Sequence, residues 1–216
     1  MTSLKFLVIS DIHGRERVIE WANNLAKERS VNGIIILGDI TQFGPPEWAE
    51  HFLKSLKFPT YAIPGNCDPR EVIAAIDKSA ILLHNRKVRI GNETFVGFGG
   101  SNPTIFNTPF EMEEDQIENA LRKICEPKMV LATHTPPQGI NDIVPSGRHI
   151  GSTAIKKIVE EFRPKVVLSG HVHEAWGIQK SGETVFVNPG AAKDFRAATL
   201  VLNNIPHAEL IEPQHS

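Results

Sequence analysis

The chain has 216 residues, 41% of them hydrophobic and 22% charged, proportions that exclude a disordered or fibrous protein and suit one sizeable core. A formal net charge of −2 supplies no broad basic field, so a protein that works by neutralising many phosphates of a nucleic acid is disfavoured, while small anions stay open as ligands. Two cysteines, Cys67 and Cys125, make no disulfide framework, and no apolar run is long enough for a membrane span or a signal peptide. The expectation is a single domain over residues 1–216, cytoplasmic and without a membrane partner.

In chain order, the first apolar run is "LKFLVIS", read as a strand buried on both faces. "RERVIEWANNLAKERS" follows, with Val18, Ile19, Ala22, Leu25 and Ala26 at helical spacing. "GIIILG" is a second buried strand, and "PPEWAEHFLKSL" a helix whose prolines suit its first turn. "PTYAIPG" reads as a strand and "PREVIAAIDK" as a helix; "KVRIG" and "ETFVGFGG" alternate as shorter strands. The "GFGGS" run lacks dinucleotide-binding spacing and reads as a turn between strands. "SNPTIFNTPF" has no periodicity, leaving a specificity lid, a subunit contact in a homo-oligomer, or local packing. "EEDQIENALRKI" is a helix with an acidic start.

Beyond it lie the buried strand "KMVLAT", the long loop "TPPQGINDIVPSGRHIG", a helix "STAIKKIVEEF" capped at Ser152 or Thr153, and the buried strand "KVVLSG". "AWGIQK", "TVFVNPG", "ATLVLN" and "HAELIE" are short, partly alternating strands. The order of strands and helices predicts a parallel sheet carrying the five buried runs, with a second, more mixed or antiparallel set packed against it.

Each of the five buried runs is followed by a side chain able to bind a metal. Asp11 and His13 follow the first, Asp39 the second, Asn66 the third, His134 the fourth, and His171 and His173 the fifth. The carboxyl ends of parallel strands lie along one edge, so residues remote in sequence converge in the crevice there. Taken singly, an Asp can cap a helix, an Asn make a turn and a His be a satisfied polar residue. Jointly, two carboxylates, four imidazoles and a carboxamide point to cation binding. Gly38, Gly65 and Gly170 allow sharp turns and close approach, and Asp11 and His13, two apart in extended chain, point to one side.

In order, "DIH", "GD", "GN", the histidine of "ATH" and "GHVH" resemble the signature of the calcineurin-like metallophosphoesterases, and "HTPPQG", "HIGS" and "FVNPGAA" resemble the small bacterial and archaeal members. The resemblance implies an α/β fold, a four-layer αββα sandwich of two mixed β-sheets flanked by helices. It implies two divalent ions, one held by Asp11, His13, Asp39 and His173 and the other by Asp39, Asn66, His134 and His171, with Asp39 bridging. Asp39, Asn66 and His134 then count as catalytic. Two such ions, about 3.5–4 Å apart, ready a hydroxide for attack on a small phosphoester. With Asp11 and Asp39 as the only carboxylates, the centre keeps about one positive charge, which draws in an anion. Nitrogen and oxygen ligands suit manganese first, with iron, zinc, cobalt or nickel as alternatives.

The chain departs from many relatives in reading "GNCD": Cys67 stands where they carry a histidine that protonates the leaving oxygen. A thiol is a poor substitute, which directs the expectation toward phosphodiesters. Cys67 and His149 are substrate-side candidates; Asp68 is a further possible proton donor, and Arg15 and Arg148 possible phosphate contacts. His51, His84, His207 and His215 read as surface or supporting residues. Two other classes stay in view: a non-catalytic metal-binding scaffold on the same fold, and a nuclease, against which the missing basic stripe and aromatic platform argue.

Overall fold

From the first strand, β1 (Leu4–Ile9), Leu7 and Ile9 face one side and Phe6 and Val8 the other, and all four are buried. The strand is therefore covered on both faces, and the same division recurs in β2 (Gly33–Ile36), where Ile34 and Ile36 join the first side and Ile35 the second. The computed structural model describes residues 3–213, and over them this alternation builds two stacked sheets; His215 lies outside the described residues.

The helices are α1 (Arg17–Glu28), α2 (Pro46–Ser55), α3 (Val72–Ser79), α4 (Glu114–Arg122) and α5 (Thr153–Phe162). The remaining strands are β3 (Thr60–Ala62), β4 (Ile81–Leu82), β5 (Arg86–Ile90), β6 (Glu93–Phe98), β7 (Val130–Thr133), β8 (Val166–Leu168), β9 (Gly177–Ser181), β10 (Thr184–Asn188), β11 (Ala197–Leu202) and β12 (His207–Ile211). One sheet runs β12-β11-β1-β2-β3-β4, with β1 to β4 parallel and β11 and β12 antiparallel additions. The other runs β5-β6-β7-β8-β10-β9, parallel from β6 to β10 with an antiparallel strand at each edge.

Three apolar layers hold the stack together. Leu7, Ile9, Ile34 and Ile36 pack against Val18, Phe52 and Ile76 of α1, α2 and α3. Phe6, Val8, Ile35 and Leu37 meet Phe95, Val130, Val166 and Val187 between the sheets, where the Phe6 and Phe95 rings stand edge to face at 5.6 Å. Val96, Leu131 and Val167 pack against Ile117, Leu121 and Ile155 of α4 and α5. The four-layer αββα sandwich of two mixed sheets is thus as the resemblance implied.

The assignment of strands to sheets differs from the sequence reading. The five buried runs do not share one parallel sheet: β1, β2 and β3 belong to one and β7 and β8 to the other. Inner strands of both sheets are covered on two faces, so their compositions are alike. The "GFGGS" run closes β6 and begins the loop after it instead of joining two strands directly. Ser152 caps α5, accepting from Ile155 N–H at 3.1 Å. Glu114 of α4 reinforces that helix start by accepting from Ser152 Oγ, Thr153 N–H and Ala154 N–H. Among the described residues no helix is long and apolar enough to cross a membrane.

Candidate metal centre

The parallel strands of both sheets end at the same rim, and the loops leaving them are sewn together across it. Asp11 N–H donates to Gly38 O at 3.0 Å and His13 N–H to Asp39 O at 2.9 Å, joining the exits of β1 and β2. Gly170 N–H donates to His134 O at 2.9 Å, joining the exits of β7 and β8, and His171 N–H donates to Asp11 Oδ2 at 3.1 Å, tying one sheet to the other.

These links impose backbone conformations that the sequence reading did not contain. Asp11 (φ 57°), His13 (φ 47°), Asp39 (φ 50°) and His171 (φ 67°) are left-handed, so Asp11 and His13 meet through a coiled loop and not through extended chain. Such strain in non-glycine residues persists where the surroundings over-determine it, commonly at functional sites. Gly38 (φ 100°) alone of the three noted glycines needs positive φ. Gly65 and Gly170 serve by close approach: a Cβ on the first would overlap Asp39, and on the second Ser10 and Asp11.

All seven candidate side chains converge. His13 Nε2 lies 3.4 Å from His173 Nε2 and 3.8 Å from both Asp11 Oδ1 and Asp39 Oδ2, and His173 Nε2 is 3.1 Å from Asp11 Oδ1. Beside this group, Asn66 Oδ1 lies 2.8 Å from His134 Nε2 and 2.8 Å from His171 Nδ1, and His134 Nε2 is 3.5 Å from Asp39 Oδ1. Asp39 thus borders both groups with different oxygens. Neither it nor Asp11 caps a helix; Glu16 and Pro45 occupy those places for α1 and α2.

The donor set fits metal ions. Among the described residues Asp11 Oδ1 is buried with no well-aligned donor, its nearest neighbour being the His173 ring, a costly state for a polar atom that has no cation to bind. His134 donates its Nδ1 proton to Leu37 O at 2.7 Å, which fixes the ring so that Nε2 faces the oxygen of Asn66. Fixing the far ring nitrogen in this way is how metal-binding histidines are oriented. Ligand atoms of Asp11, His13 and His173, and of Asp11, Asp39 and His134, can be chosen within 4.8 Å of one another.

Charge in the metal-free protein is divided unevenly. Burial works against ionisation of Asp11, but its pairing with His173 and the nearby His134 and His13 prevail and hold its carboxyl well below the usual range. Burial, with Asp11 and Asp68 adding, pushes Asp39 up to about 6. Burial pushes His13 down to about 4 and His171 down to about 3, leaving both neutral and able to accept a cation at neutral pH. His173 is raised, because its contact with Asp11 outweighs burial.

Other candidates fall into supporting places. Cys67 is buried beside the centre; its N–H donates to Asp39 Oδ1 at 2.8 Å, and burial and the Asp39 carboxylate push its thiol up. Asp68 accepts from Ile40 N–H, Thr41 N–H, Thr41 Oγ and Gly65 N–H at 2.7–3.1 Å and staples two loops together, while burial raises its carboxyl. His149 is bound to Asp142 at 2.6 Å within its own loop, apart from the seven. Arg15 and Arg148 are exposed, Arg148 with Ser146 as its partner. His51 pairs with Glu16 on the surface, His207 is exposed, and His84 accepts from Gly99 N–H at 2.8 Å.

Three residues near the rim escaped sequence reasoning. Lys193 donates its N–H to Asp11 O at 3.1 Å, and its charge is felt at His13 and His173. Thr108, in the "SNPTIFNTPF" loop, accepts from the Asn66 amide, and Glu111, just after that loop, accepts in turn from Thr108. Only the proximity of "FVNPGAA" to Lys193 was visible as a signal.

Comparison with known proteins bears on the family and the fold. A protein of Methanocaldococcus jannaschii is 34% identical over 205 residues, covering 89% of this chain and 90% of that protein. A 3',5'-cyclic-nucleotide phosphodiesterase of Nostoc sp. is 22% identical over 170 residues, covering 76% of this chain and 64%, under two thirds, of that longer protein. The crystal structure of a Thermus thermophilus protein superimposes with a TM-score of 0.74 at 16% identity, covering 98% of this chain and 99% of that one, and so shares the fold. The model of calcineurin-like phosphoesterases matches residues 4–175, the span that holds all seven converging side chains, and the chain belongs to that family.

Proposed function

We propose that this chain is a dinuclear-metal phosphoesterase acting on small phosphodiesters. The observation that carries the reading is the pair of adjoining donor groups at the rim, with Asp39 between them and the His134 Nε2, its ring fixed by Leu37 O, beside the Asn66 oxygen. Asp11, His13, Asp39 and His173 would hold one divalent ion, and Asp39, Asn66, His134 and His171 the other. Such ions supply an activated water at neutral pH and neutralise charge on the phosphoryl oxygens. Nitrogen and oxygen donors favour manganese, with iron, zinc, cobalt and nickel as the alternatives.

The rest is done by the chain itself. Asp11 stays ionised, and the Cys67 N–H orients Asp39. Lys193 adds a positive charge beside His13 and His173. The Cys67 thiol, buried and raised, neither attacks nor releases a proton, so a poor alkoxide leaving group gets no help from the position after Asn66. That favours diesters, as does the likeness to a cyclic-nucleotide phosphodiesterase. Free Cys67 and Cys125 suit a reducing, cytoplasmic setting.

The test is hydrolysis of bis(p-nitrophenyl) phosphate and of cyclic nucleotides by purified protein, with and without Mn2+, beside metal analysis. Activity that requires Mn2+, two ions per chain, and its loss in folded Asp39→Ala and His134→Ala are expected. Mn2+-saturated protein that cleaves no diester, or an Asp39→Ala variant as active as the parent, overturns the reading.

A further inference from the structure

Asn66 has an amide that can face either way, and only its oxygen is a metal ligand. Its Nδ2 lies 3.0 Å from Thr108 Oγ1, while its Oδ1 lies 2.8 Å from both His134 Nε2 and His171 Nδ1. With the amide turned over, its nitrogen would face the two imidazoles and its oxygen the threonine hydroxyl. Something must therefore select the observed one.

The selection follows from proton counting. Thr108 Oγ1 is 2.6 Å from Glu111 Oε1, and an ionised carboxylate can only accept, so the Thr108 proton is committed to Glu111. The Thr108 oxygen is then an acceptor toward Asn66, and the Asn66 NH2 must face it. Glu111 is itself locked: it accepts from Thr104 N–H at 3.0 Å, Thr104 Oγ1 at 2.6 Å and Thr108 N–H at 2.8 Å as well. Burial alone would raise this carboxyl, but these bonds from Thr104 and Thr108 outweigh it and keep it ionised. The Phe110 N–H, donating to Asn66 O at 3.0 Å, pins the same loop to the Asn66 backbone.

We propose that Thr108 and Glu111 are positioning residues that hold the Asn66 amide with its oxygen toward His134 and His171, and so set the metal affinity of that half of the centre. The inference rests on the reading of Asn66 as a ligand. It assigns the loop of residues 101–111 a part in metal binding.

Mn2+ titration of the full chain, followed by electron paramagnetic resonance and calorimetry, separates the possibilities, with thermal melting in EDTA as the control for folding. Thr108→Val keeps the shape but removes the acceptor, and should weaken one of two Mn2+ ions by about 10–100-fold while sparing the other, with loss of the spin-coupled pair signal. Glu111→Gln should act in the same direction, because its amide can donate to Thr108 and free the hydroxyl proton to turn Asn66 over. Thr108→Ser retains the hydroxyl and should bind both ions as the parent does. Parent-like binding of both ions by Thr108→Val, or equal weakening by Thr108→Ser, overturns the inference while leaving the proposed function standing. Absence of Mn2+ uptake by the parent chain brings down both.

Discussion

The buried carboxylate between the two groups should make the metal-free protein less stable than a neutral variant. Asp39 is only 2% exposed and is pushed up to about 6, by burial first and then by Asp11 and Asp68. In the unfolded chain an aspartate releases its proton near pH 3.9, roughly two units lower, and each unit corresponds to about 1.4 kcal/mol. Between those pH values the folded protein binds more protons than the unfolded one, so this contribution makes stability fall as pH rises from about 4 to 6. At pH 7 the ionised Asp39 then costs about 3 kcal/mol. Asp39→Asn removes the charge and retains an oxygen to accept the Cys67 N–H. In EDTA at pH 7 it should gain up to about 3 kcal/mol, roughly 6 °C in melting temperature at the entropy of unfolding usual for this length. The gain should vanish near pH 4, where the parent residue is protonated in the folded state and about half so in the unfolded one. Asp11→Asn should do the reverse: the Asp11 carboxyl is held below its usual range, so its charge stabilises the fold above about pH 4 and that contribution is lost as pH falls below it. Calorimetric melts over pH 4–7 decide the matter. An Asp39→Asn protein that melts at or below the parent at pH 7 without metal refutes the reasoning.

Two further outcomes follow from the geometry. Gly65→Ala places a methyl group into Asp39 and should cost about 1–3 kcal/mol by overpacking, with a matching loss of Mn2+ affinity, read by melts with and without the ion. Cys67→His restores a proton-donating side chain after Asn66 and should raise hydrolysis of phosphomonoesters relative to diesters; an unchanged ratio in Mn2+-loaded protein removes Cys67 as the determinant of selectivity.

The legible parts of this molecule are those carried by local chemistry. Short apolar runs, three of the five ending in glycine, each followed by a polar donor, marked the strands and all seven rim residues; apolar spacing marked α1 and α2, and the Ser152 cap marked α5. Which sheet a strand joins was hidden, because the inner strands of both stacks meet apolar partners on two sides; Ile35 between the sheets and Ile36 beneath the helices are chemically alike. The two-residue strand β4 offers too few positions for any period. The left-handed turns at Asp11, His13, Asp39 and His171 are enforced by bonds to distant chain segments, which residue type does not announce. Thr108 and Glu111 matter through the direction of a proton, a property invisible in spacing.

Asp11, His13, Asp39 and Asn66 arrive on one sheet, and His134, His171 and His173 on the other. Ligand distances in metal sites tolerate errors of about 0.2 Å, whereas sliding a strand by one residue moves it about 3.3 Å. On the proposed reading, cation affinity becomes a gauge of alignment between the two halves of the sandwich. Side chains such as Phe6 and Phe95, deep between the sheets, act as the shims that keep the halves in true.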